Sequence, residues 1–301
     1  WDFTARIWDV ESGEEIQVLK GHQHRIHSAV FNNDNSLVLT ASYDGTARIW
    51  NVESGEELQI LEGHTRDVIS AVFSTDNKYV LTASWDNTAR IWDVKSGKEL
   101  QALEGHTENV TSYDYNLNDK HALSASNDNR ARIWDVKSGK DLQIFEGHSK
   151  WVTSAMFSTD KKQILTASRD KTARIWDVGT GKGLQIFEGH TDWVNYATFS
   201  SDNKLILTVS RDKSSRIWEA KSGKELQRLE GHTDRVVSGV FSTDNKYVLT
   251  ASWDNTARIW DVESGKELQV LMGHTGWVDW VQFSTDNKRA MTKSDDKTVR
   301  I

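Results

Sequence analysis

The stretch ASWDNTARIWDV fills residues 83–94 and returns letter for letter at 251–262, inside an identical block that extends back through Phe73 and Phe241. The copies lie 168 residues apart, and that offset divides into steps of 42. Gly-His pairs begin at Gly21, Gly63, Gly105, Gly147, Gly189, Gly231 and Gly273. A Trp followed by Asp, Asn or Glu stands at Trp8, Trp50, Trp92, Trp134, Trp176, Trp218 and Trp260. Every step in both series is 42 residues, with no insertion or deletion, so the chain reads as one array of a single repeated unit.

Composition narrows the function classes. The 301 residues contain no Cys, which excludes disulfides, thiol nucleophiles and zinc-thiolate sites. A net charge of −7 argues against general binding to nucleic acid or to anionic membranes. No apolar run approaches the roughly 18–20 residues of a membrane span, and no signal-like segment precedes Trp1. A soluble, cytoplasmic chain is expected. The missing initiator Met suggests a domain cut from something longer.

The repeat builds strands. VISAVF (68–73), KYVLTAS (78–84), TARIWDV (88–94) and EELQIL (56–61) are short runs rich in β-branched and aromatic residues with rough period-two alternation. Turn residues separate them: Asp76 and Asn77 tolerate the left-handed conformation, and Ser-Gly at Ser96 and Gly97 joins the third run to the fourth. The Gly-His and Ser/Thr-Gly series together account for 14 of the 19 glycines. No GxGxxG or Walker pattern accompanies them, so the glycines are turn punctuation, not a phosphate cradle.

Gly-His, then Ser-x-Asp, then Trp-Asp at this spacing resembles the WD-repeat β-propeller family, and the likeness covers essentially the whole chain. It implies an all-β, seven-bladed β-propeller of four-stranded antiparallel blades set radially around a channel. It also implies a buried network in each blade, here His64, Ser84, Asp86 and Trp92 in the second. The carboxylate would accept from the imidazole, the imidazole would meet the Ser hydroxyl, and that hydroxyl would accept from the indole. The corresponding sets begin at His22, His106, His148, His190 and His232.

Ser, His and Asp together also spell a nucleophilic triad. Seven copies count against that reading, because an active site needs one exposed nucleophile beside an oxyanion hole. The sets are therefore read as structural, and no catalytic residue, cofactor or metal site is expected. His24, His27 and His121 lie outside the networks and form no convincing ligand set; His24 and His27 read as a solvated surface pair.

Function is sought where the repeats differ. Two positions at the start of the first strand and one just before the network Asp vary most, and in the family these ring the top face. The expected partner-binding residues are Arg25, Tyr43, Trp85, Trp151, Arg169, Trp193, Arg211, Arg235, Trp253 and Trp277. With Trp1 counted in its series, six of the 14 Trp stand at such positions, and Trp and Arg supply most interface hot spots. Blades four to six carry Trp and Arg there without an acid, although Asp192 and Asp234 flank them. The resemblance thus implies a non-catalytic interaction scaffold or sensing module, akin to the uniform repeats of bacterial multidomain proteins. Its partner is expected to be a protein or peptide, acidic or phosphorylated, or another domain of a longer parent chain. The alternative is a small-molecule, glycan-binding or enzymatic propeller that uses the central channel.

The ends carry one more expectation. The chain opens in a third strand, WDFTARIWDV, and closes in another, DDKTVRI, one residue short of its Trp. Asp2 and Trp8 are expected to complete a network with His274 and Ser294 and so close the ring. Local departures are Asn51, Glu219, Arg130 and Lys293, together with a complete lack of Pro.

Overall fold

A computed structural model describes residues 2–9, 12–115 and 120–301. The described residues form β-strands and turns without a helix, and so none that is long and apolar enough to cross a membrane. Each repeat folds into one antiparallel sheet, or blade, with its strands in chain order. In the second blade the strands are Val68–Phe73, Tyr79–Ser84, Ala89–Asp93 and Glu99–Leu103, so three of the runs read from the sequence lie in it, while EELQIL (56–61) falls on Glu57–Glu62, the fourth strand of the first blade. Six blades have four strands; the seventh, from Val278 to Arg300, has three, and Thr4–Trp8 pairs separately with Glu15–Lys20.

The turns follow their residues. Asn77 adopts φ 58°, which Asn tolerates because its short side chain can bond the local backbone, and Gly97 adopts φ 67°. The Asp after the network Trp shapes the second turn: Asp93 Oδ1 accepts from Ser96 N at 2.8 Å and from Ser96 Oγ at 2.6 Å. This explains why Asn51 is tolerated, since its amide oxygen accepts from Ser54 N at the same 2.8 Å. Glu219 bonds the Ser222 hydroxyl in the equivalent turn. Gly63 has a packing reason instead, because a Cβ there would lie 2.9 Å from Arg90 Nη1 and 3.1 Å from Trp92 Cη2.

The chain divides into two compact units, Trp1–Ile144 and Phe145–Ile301. In the first, Leu39, Ile49 and Leu61 of blade one pack on Val68, Phe73 and Trp92 of blade two. In the second, Leu165, Ile175 and Phe187 of blade four pack on Val194, Phe199 and Trp218 of blade five. First strands of successive blades lie side by side in each unit, so they are the inner strands and the fourth strands are the outer edges. Asn side chains in the first turns also tie blades together, as where Thr159 N donates to Asn203 Oδ1 at 3.0 Å.

The terminal network differs from the expectation. His274 Nδ1 lies 2.8 Å from Asp296 Oδ2, so the carboxylate comes from the last repeat itself, not from Asp2. Asp2 instead accepts from Arg6 Nη2 at 3.1 Å. Trp8→Phe tests the expected closure: a loss of several kcal/mol in urea unfolding would place the Trp8 indole in a buried network, and a change within about 0.5 kcal/mol, as for surface substitutions, would not.

Candidate functional site

The buried networks form, but through a different hydroxyl. Trp92 Nε1 donates to Thr82 Oγ1 at 2.8 Å, and Thr82 Oγ1 lies 2.7 Å from His64 Nε2. His64 Nδ1 meets Asp86 Oδ2 at 2.8 Å. The chain of donors therefore runs indole, hydroxyl, imidazole, carboxylate, and Ser84 is not a member. Thr82 and Ser84 share one face of the second strand, but Trp92 pairs opposite Val80, so its indole reaches Thr82 diagonally. Ser84 sits at the strand end and serves the turn, accepting from Asp86 N at 3.0 Å and donating to Arg66 O at 3.2 Å. Thr40, Thr166, Thr208 and Thr250 take the same role, Ser124 does so in blade three, and Thr292 meets His274 without an indole among the described residues.

Asp86 accepts from His64, from Thr88 Oγ1 at 2.7 Å and from the backbone N–H groups of Thr65 and Thr88. Burial alone would raise its pKa; the bonds from His64 and Thr88 outweigh burial and hold it well below the usual carboxylate range. In blade three Arg130 replaces the Thr, and its backbone N–H donates to Asp128 Oδ1 at 3.0 Å. Thr82 and Ser84 are fully buried, so neither hydroxyl is an accessible nucleophile.

The variable positions meet in pairs. Arg169 N donates to Trp151 O at 2.9 Å, and Arg211 N to Trp193 O at 2.8 Å, which sets the turn residue beside the residue just before its blade's inner strand. The Arg169 guanidinium then lies over Trp151 at 3.9 Å and over Trp193 of the next blade at 4.0 Å. Arg211 covers Trp193 at 4.6 Å, and Arg235 covers Trp253 at 4.0 Å. Trp253 and Trp277 stack at 3.9 Å with an interplanar angle of 3°. Blades four to seven thus carry indoles and guanidinium groups layered face to face.

This layering alters what the arc can offer. The inner indoles face guanidinium groups or another indole, which leaves their flat faces largely covered. Trp151 and Trp277, at the ends, remain 41 % and 45 % exposed. Stacking consumes the faces of Arg169 and leaves its in-plane N–H donors, which suit carboxylate or phosphate oxygens. Asp192 lies 3.8 Å from Arg211 Nε and Asp234 lies 3.9 Å from Arg235 Nε, both beyond hydrogen-bonding distance. Arg169 has no carboxylate partner among the described residues, and its buried Nε makes no hydrogen bond. Burial and then the charge of Arg211 lower its pKa.

In the first unit Tyr43 gathers an aromatic cluster, with ring centroids 5.5 Å from His27, 6.0 Å from His24 and 5.7 Å from Trp85. His24 and His27 are both exposed, as expected of a surface pair, and each also lies beside the Tyr43 ring. Arg25 meets Tyr43 through its backbone, the Tyr43 N–H donating to Arg25 O at 3.0 Å. Trp1 lies outside the described residues.

No curated protein matches the chain. The family model described as WD domain, G-beta repeat matches at residues 13–51, 55–93, 97–135, 139–177, 181–219, 223–261 and 265–301. Seven matched repeats, each built as an antiparallel blade and six of them holding the full indole-to-carboxylate network, show that the chain belongs to the WD-repeat family of β-propellers.

Proposed function

We propose that the chain is a non-catalytic interaction scaffold that docks an acidic or phosphorylated protein segment on the Trp151–Trp277 arc. WD-repeat propellers generally serve as protein-interaction scaffolds, and this supports the class. The observation that carries the finer reading is Arg169, stacked between two indoles with no carboxylate of its own. Its side chain is already ordered, so a partner oxygen would meet fixed donors at little further entropic cost. Trp151 and Trp277 offer apolar anchor points at either end. The scaffold would act as a cytoplasmic interaction or sensing domain.

The test uses one fluorescent peptide framework carrying Ser, Glu or phosphoserine beside a Trp or Leu anchor, with binding read by anisotropy. The Glu and phosphoserine forms should bind, and Arg169→Glu with Arg211→Glu should weaken both at least tenfold. The control reversal, Lys137→Glu with Lys221→Glu, should leave affinity within about twofold. Equal binding of the Ser form, or equal losses in the two double variants, would remove the arc as an anion site.

A further inference from the structure

Away from the arc, each repeat carries an Arg two residues before the network Trp, and an acid nine residues further on reaches back to it. Arg6 pairs with Glu15, Arg48 with Glu57, Arg90 with Glu99, Arg132 with Asp141, Arg216 with Glu225 and Arg258 with Glu267. In blade four the acid is absent: Gly183 stands where Arg174 would find it, in the run GKGLQIF. Arg174 has no ion pair among the described residues, and its buried Nε makes no hydrogen bond.

The missing side chain leaves a space. A groove of about 580 Å³ opens there, lined by Arg174, Trp176, Gly183, Leu184, Ile186 and Gly223 among others. That volume lies within the roughly 300–1,000 Å³ of small-ligand sites. Leu184 and Ile186 are 50 % and 41 % exposed along the outer strand, so a charged end and an apolar flank meet in one concavity. Glu188 also lines the groove, which balances the single cation and disfavours a dianion such as phosphate.

We infer that this groove is a carboxylate-binding site, in which a carboxylate on a short apolar stem takes the place that Glu or Asp fills in the other repeats. The pairs elsewhere supply the geometry: Arg90 Nη1 donates to Glu99 Oε2 at 2.5 Å, and Arg132 Nη1 to Asp141 Oδ2 at 2.6 Å. A bound ligand completes the same contact from outside the chain. The carboxylate comes either from a small free acid or from a glutamyl side chain, and two probes separate these sources.

Gly183 allows a clean test, because its backbone is not in the left-handed region and an added Cβ would meet only Trp176 ring atoms at 3.7 Å. Gly183→Glu should fill the site from within, raising the melting temperature by roughly 2–4 °C. Amide NMR shifts of Leu184, Gln185 and Gly223 are followed while butyrate, or a capped Ala-Leu-Glu-Leu-Ala peptide, is added to the whole chain. Saturable shifts are expected with wild type, at least tenfold weaker in Gly183→Glu and in Arg174→Met, and at least tenfold weaker with inorganic phosphate. The tighter probe names the source. A peptide with Gln in place of Glu that binds equally, variants that bind as wild type does, or no saturable shift from either probe would overturn the site.

Discussion

Thr82→Val is expected to destabilise the chain by about 2–6 kcal/mol, since it strands two buried groups at roughly 1–3 kcal/mol each. The indole N–H of Trp92 loses its acceptor and His64 Nε2 loses its donor, in a place where Thr82 and the His64 side chain are fully buried. Val matches Thr in shape and suits a strand, so the loss reports the hydroxyl and not a cavity. Thr82→Ser should cost only about 1 kcal/mol for the missing methyl, because Ser124 performs the same task in blade three. Urea denaturation of the two variants decides between them. Equal stabilities would show that the hydroxyl does not link the indole to the imidazole.

Acid is expected to undo these networks in two windows. Burial depresses the His148 and His190 pKa values, and although Asp170 and Asp212 oppose that shift they do not cancel it. Both values lie below the ordinary 6.5, so the unfolded chain takes protons first; this contribution is complete above about pH 6.5 and is lost as pH falls below it. The network carboxylates act lower. Burial would raise Asp44, Asp86, Asp170, Asp212 and Asp254, but hydrogen bonds from His and from Thr or Ser outweigh it and carry each below 3.8. Their contribution is present above pH 3.8 and disappears as pH drops through the depressed folded values. Melting temperature should therefore be flat above about pH 7, decline below about 6.5 and fall most steeply below about 4. A melting temperature unchanged from about pH 7 to about pH 5 would show that the buried imidazoles contribute no pH dependence.

Much of the fold could be read because the repeat writes its turns and strands in residue types with strong local preferences. Asn77 and Gly97 mark left-handed positions, and alternation marks the strands between them. The network was legible in its ends, His64, Asp86 and Trp92, but not in its middle. Thr82 and Ser84 lie two residues apart on the same strand face, and composition cannot say which of two hydroxyls the indole reaches. The Arg–acid pairs went unread for a similar reason, since their nine-residue spacing crosses a turn and only the strand pairing brings the two side chains together.

The sequence alone determined the repeat length, the blade count, the strand order within a blade and the positions at which blades differ, because local propensity and exact periodicity leave little choice. Tertiary structure decided what those differing positions do to one another. Trp151, Arg169 and Trp193 come from two blades, and only the packing of one inner strand beside the next stacks the guanidinium between the indoles at 3.9 and 4.0 Å. It likewise decided that Gly183 leaves a groove beside an unpaired Arg174, since a missing side chain becomes a space only when its neighbours are held in place.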